Sequence, residues 1–224
     1  MAADAEVLAL PVLSERLALP PDPALDPVLD AATQCLARHG ISKTTLSDIA
    51  REMGVAPSTV YRKVGSVDNV AMLVFAREAQ RFLERIPATL TAATGPQAIT
   101  QLMADAITTL ADHPVAAKVL RDEGDWMGRM VTRQLDDLLA QGVEVAAPLL
   151  TAAMAAGLIR QQDPQLLAHW LLRIALAALV APPPGELQAS LDELLLPVLA
   201  PATTTAPLGA PTSTSSSTKK RTDR

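Results

Sequence analysis

The chain is predicted to be all-α on three observations. Aromatic residues make up only 2 % of it, while 49 % is hydrophobic and dominated by alanine and leucine. No alternating run of β-branched residues reaches strand length. Apolar residues instead recur at three- and four-residue spacings between helix start and stop signals. At 224 residues the chain can bury a sizeable core. Cys35 is its single cysteine, so there is no disulfide framework or cysteine-rich zinc site, and the cytoplasm is the expected location.

Four regions are expected: an arm over 1–24, a small helical domain over 25–65, a larger one over 66–200 and a tail over 201–224. In the arm, Asp4 and Glu6 stand where a secretory signal needs positive charge, and prolines interrupt each apolar run. Helix one follows from about residue 25, with Pro27 in its first turn. Val28, Ala31, Ala32, Cys35 and Leu36 form its stripe and Gly40 its stop. In TTLSDIAREMG, Thr45 and Asp48 fit a capping box, and Leu46, Ile49, Ala50 and Met53 share one face ending at Gly54. Helix three begins at Pro57, a residue suited to the first helical position, and ends near Val64 and Gly65.

Ser66 caps a longer fourth helix running to Ile86, where Pro87 stops it, and TAATGP at 91–96 is the clearest break. Further helices are expected over 96–112, 114–123, 125–141, 143–156, 164–181 and 185–199, with APPPGE separating the last two. LLAHWLLRIALAALVA at 166–181 is short for a bilayer span and carries His169 and Arg173, so no membrane association is expected. After Pro201 the composition turns to threonine, serine and proline, too poor in apolar side chains to offset the cost of ordering.

The net charge is −5, yet residues 36–64 carry +3 through Arg38, Lys43, Arg51, Arg62 and Lys63 against Asp48 and Glu52. Cationic charge is therefore local. Two short helices joined by a turn at Gly54 and Val55 form a helix-turn-helix, whose second helix enters a DNA major groove. At 100° per residue, Ala56 and Val64 lie within about 40° of Val60, whereas Ser58 and Arg62 point about 160° or more away. Val60 is thus the inward anchor, and Ser58 and Arg62 are candidate base readers, arginine suiting guanine O6 and N7. Thr59 and Tyr61 flank them, and Tyr61 and Lys63 can hold phosphates. So can Lys43, Thr44 and Thr45 at the start of helix two. Ala56 and Pro57 complete the DNA-facing set but offer the groove little polar chemistry.

TTLSDIAREMGVAPSTVYRKVGSVDNV, residues 44–70, closely resembles the DNA-binding signature of the tetracycline-repressor (TetR-like) family of bacterial transcription regulators. The matching features are the hydroxyl pair, D-I-A, an acidic residue, G-V, S-T-V-Y and an S-x-D helix start. GLIRQQDPQLLAHWLL at 157–172 looks like that family's approach to its dimerisation helices. This chain departs from the pattern in its acidic arm, in Val64 and Val67 where relatives have an aromatic and a lysine, and in Pro57. The resemblance implies a homodimer on an operator of double-stranded DNA, and a regulatory domain in which a small-molecule effector alters the spacing of the recognition helices.

For the dimer, Leu166, Leu167, Trp170, Leu171 and Ile174 with Leu187, Leu191, Leu194, Leu195 and Val198 offer broad apolar faces. Both helices could instead be ordinary core, but a seam is favoured because one helix-turn-helix unit gives little affinity and homo-oligomers are usually two-fold. On helices that line the effector cavity in that family stand His113, Arg121, Trp126, Arg129, Arg133 and His169. Met103, Met127, Met130 and Met154 would suit a plastic apolar cavity. No catalytic residue, metal ligand or cofactor is nominated: three histidines lie far apart, and neither a phosphate-binding glycine loop, H-E-x-x-H nor G-x-S-x-G occurs. The alternative is a helical interaction protein whose DNA-binding unit has degenerated.

Overall fold

The computed structural model describes residues 21–86 and 95–201. The expectations for the arm before residue 21, the Pro87 stop, most of the TAATGP break and the tail beyond residue 201 lie outside the described residues.

After a 3-10 turn at Pro23–Leu25 the helices are α1 Asp26–His39, α2 Leu46–Met53, α3 Pro57–Val64, α4 Val67–Leu83, α5 Pro96–Asp112, α6 Pro114–Asp122, α7 Gly124–Ala155, α8 Pro164–Val180 and α9 Leu187–Leu199. Their ends carry the chemistry the sequence supplies. Ser66 accepts the Asn69 N–H at 3.1 Å to cap α4, and Asp163 accepts from Gln165 and Leu166 to cap α8. Proline opens α3, α5, α6 and α8 within the first two positions.

One expectation is corrected. Residues 125–141 and 143–156, expected as two helices broken at Gly142, form the single 32-residue α7. Gly142 is not a stop because its backbone stays helical; it is small because α8 passes close by. A Cβ there would lie 2.8 Å from Leu172 Cδ1. α7 also contains Pro148, which cannot donate the backbone hydrogen bond of its turn. By length and composition α7, rather than residues 166–181, is the one described helix that could cross a membrane. It packs along α8 and against α6.

Two apolar cores result. The first joins α1, α2, α3 and α4 through Leu29, Leu36, Ile49, Val60 and Val74, and continues into α6 and the start of α7 through Val115, Val119 and Trp126. The second joins α5, α7, α8 and α9 through Met103, Ile107, Leu150, Met154, Leu171 and Leu195. α7 enters both, so it is the rod between them. A buried guanidinium, Arg77 on α4, reaches Asp30 at 2.8 Å and Asp26 at 3.4 Å and so ties α4 to α1.

Candidate nucleic-acid interface

α2 is held by a reciprocal cap. The Thr45 hydroxyl accepts the Asp48 N–H at 3.2 Å and the Asp48 carboxylate accepts the Thr45 N–H at 2.9 Å. The Thr45 hydroxyl also donates to the Asp48 carboxylate at 2.6 Å, and this bond first, then that from the Thr45 N–H, with Arg51 adding to them, holds the Asp48 carboxyl below its ordinary value. Gly54 ends the helix in the left-handed region at φ 68°, a conformation that a β-carbon disfavours. The Val55 N–H returns to the Ala50 carbonyl at 2.9 Å, closing the turn so that Pro57 can begin α3.

Within α3, Val60 is fully buried against the first core and Val64 nearly so, while Ser58, Tyr61, Arg62 and Lys63 are exposed. Tyr61 is 64 % exposed, so its ring and hydroxyl are open to a partner on this face. The rotational assignment thus holds: anchor inward, Ser58 and Arg62 outward, Thr59 between. Ala56 is the exposed N-cap and gives no side-chain cap to α3.

Charge sharpens this face. Arg38 pairs with Glu52 at 2.7 Å, binding α1 to α2, and Arg51 pairs with Asp48. Among the described residues no carboxylate lies within ion-pairing distance of Lys43, Arg62 or Lys63. The local positive charge therefore resides on these three exposed cations. Lys63 Nζ donates to the Ala24 carbonyl at 3.1 Å, which steadies it and leaves further ammonium protons available.

Thr44 and Thr45, expected to contact phosphate, both have partners within the chain. Thr44 is buried, its hydroxyl donating to the Gly40 carbonyl at 2.6 Å and its N–H to that of Ile41 at 3.3 Å. The Thr45 N–H and hydroxyl are both occupied by Asp48. A hydroxyl pair before a helix reads from sequence as an anion site; in the free chain it builds the turn.

The six residues expected around an effector do not converge. Trp126 is buried in the first core, its indole N–H donating to Asp68 at 3.0 Å, and His113 stacks edge-on to Phe75. Arg121, Arg129 and Arg133 are exposed, and His169 lies beside Arg173 on α8. The expected dimer residues divide. Leu167, Leu171, Leu191 and Leu195 are buried in the second core, with Ile174 and Leu187 packed against it. Leu166, Trp170, Leu194 and Val198 remain 58 %, 59 %, 56 % and 46 % exposed. They line a groove of about 310 Å³ between α8 and α9. Apolar count along a helix cannot separate these two faces; the packing of α8 on α7 and of α9 on α5 does. Sequence reasoning missed Glu123, Asp68 and Arg77, whose partners are distant along the chain.

Residues 28–66 match the family described as bacterial regulatory proteins, tetR family. The chain is 26 % identical over 178 residues to the HTH-type transcriptional regulator AlkX of Mycobacterium tuberculosis, covering 77 % of this chain and 83 % of that one. It is 22 % identical over 135 residues to the fatty acid metabolism regulator protein of Bacillus subtilis, covering 60 % and 70 %. Among solved structures, the TetR family repressor AlkX from Dietzia superposes with a TM-score of 0.59 at 23 % identity, over 79 % of this chain and 95 % of that one.

Proposed function

Because the chain belongs to the tetR family of bacterial regulatory proteins and is a DNA-binding transcriptional regulator, we propose that it represses transcription as a homodimer on an inverted-repeat operator and is released by a small molecule. One observation carries the DNA-reading part. α3 is fixed by Val60 and Val64 while Ser58 and Arg62 project together from its opposite face, beside Lys63, which has no carboxylate within ion-pairing distance among the described residues. Arg62 reads a guanine and Ser58 an adjacent base edge, while Tyr61, Lys63 and Lys43 hold the backbone.

The exposed part of the α8–α9 face supports the dimer. Four large apolar residues at half exposure around one groove are costly in water and are covered by the same face of a second copy. Two α3 helices at fixed separation then meet half-sites about 34–36 Å apart. For the effector, the support is an apolar second core containing Met103 and Met154 and a relative named for fatty acid metabolism. An apolar molecule binding between α5, α7 and α8 releases DNA only as far as it prefers the non-binding spacing. A gel-shift titration against matched and scrambled DNA at two salt concentrations tests this: the reading requires a preference that survives salt, and equal affinities throughout would contradict it.

A further inference from the structure

At the corner between α6 and α7 stands Glu123, 7 % exposed. Its carboxylate crosses to the turn between α1 and α2, where Oε1 accepts the Ser42 N–H at 3.3 Å and Oε2 accepts the Ser42 hydroxyl. Gly40 makes room for it, since a Cβ at that glycine would overlap the carboxylate. Among the described residues no cation lies within ion-pairing distance of Glu123. A buried, cation-free carboxylate is a poor device for stability, because desolvation consumes most of what its hydrogen bonds return. What it does supply is direction. Less than a turn further on, Trp126 donates its indole N–H to Asp68 in the first turn of α4 at 3.0 Å.

Ser42 lies just before α2 and Asp68 just after α3, so these two bonds grip the helix-turn-helix at both ends. Both come from one end of α7, whose other end is built into the second core through Ala147, Leu150 and Met154. We propose that Glu123 is a positioning residue for DNA recognition: with Trp126 it forms a bracket through which α7 sets the orientation of α2 and α3, in addition to the covalent path along α4. This rests on the DNA-reading role proposed above.

Charge alone predicts the opposite effect, since removing an anion strengthens binding to every DNA. DNA fragments selected by the native protein, and a scrambled fragment, are titrated with Ser42→Ala, Glu123→Gln, Glu123→Ala and the double variant Ser42→Ala with Glu123→Ala, with thermal unfolding followed on the same samples. The bracket predicts that Ser42→Ala and Glu123→Ala each weaken binding to the selected fragment about tenfold, the size of a typical coupling between contacting residues. The double variant is no weaker than Glu123→Ala, binding to the scrambled fragment does not fall, and Glu123→Gln, which still accepts the Ser42 N–H, recovers part of the loss. Folded variants that bind the selected fragment as tightly as native, gains on both fragments, or losses that multiply in the double variant overturn it. Should Glu123→Ala fail to fold, the exposed Ser42→Ala decides alone. A native protein that selects no sequence overturns the DNA reading and the bracket with it, whereas native selection with unaffected variants overturns the bracket only.

Discussion

Gly142 of α7 meets Leu172 of α8 where the two helices cross, leaving no space for a β-carbon without displacing the leucine methyls. Gly142→Ala gains helix propensity of about 1 kcal/mol and asks only the flexible end of Leu172 to move, so its net effect on stability is small. Gly142→Leu forces the helices apart and costs about 1–3 kcal/mol. Chemical unfolding of both variants, with helicity by circular dichroism, checks this. A large loss from alanine would mean that Leu172 cannot yield and that the helix crossing itself must shift.

The divided α8–α9 face makes a second prediction. Trp170→Glu or Leu194→Glu charges an exposed position, so the protein stays folded and sediments as a monomer with weakened operator binding. Leu191→Glu buries a carboxylate at a site 3 % exposed and unfolds the protein. Sedimentation velocity beside thermal unfolding separates the outcomes. A Trp170→Glu protein that remains dimeric would move the dimer interface elsewhere.

The two neighbouring cations of α3 should separate on DNA. Arg62→Ala loses about 1–3 kcal/mol on the preferred sequence and relaxes base preference, while Lys63→Ala weakens binding to all sequences and lowers the salt slope by about one. Affinity measured over a salt series on matched and scrambled DNA checks both. Equal specific and non-specific losses from Arg62→Ala would remove it as a reader.

His113 gives a pH prediction. Burial pushes its imidazole below the ordinary value of 6.5, opposed by the carboxylate of Glu78 at 4.0 Å and aided by the nearby Arg77 and Arg81. The unfolded chain therefore takes up this proton first as pH falls. Stability from the neutral ring is complete above about pH 6.5 and is lost as pH drops through the lower folded value. His113→Gln loses less stability than native protein between neutral pH and pH 5. Unfolding midpoints for the two proteins across that range test the assignment, and parallel curves would contradict it.

Much of this was legible in the sequence because it is local. Capping residues, glycine and proline punctuation and helical spacing placed α1 to α4 and the inward and outward residues of α3. What was not legible depends on distant neighbours. Gly142 reads as a break until Leu172 is seen beside it, and Thr44 reads as an anion donor until its hydroxyl is found on Gly40. Leu166 and Leu167 are chemically identical neighbours, one exposed and one buried, and only the packing of α8 tells them apart. Glu123 in RDEGD reads as one more surface acid.

The central claim is that two copies of α3 read DNA at a spacing fixed by a dimer. It is tested most directly by incubating the purified full chain with random double-stranded DNA and sequencing the retained fragments through successive rounds. An inverted repeat with a guanine in each half-site, lost from the selection with Arg62→Ala, is the predicted result. Enrichment of no sequence, or of a single unrepeated half-site, would contradict it.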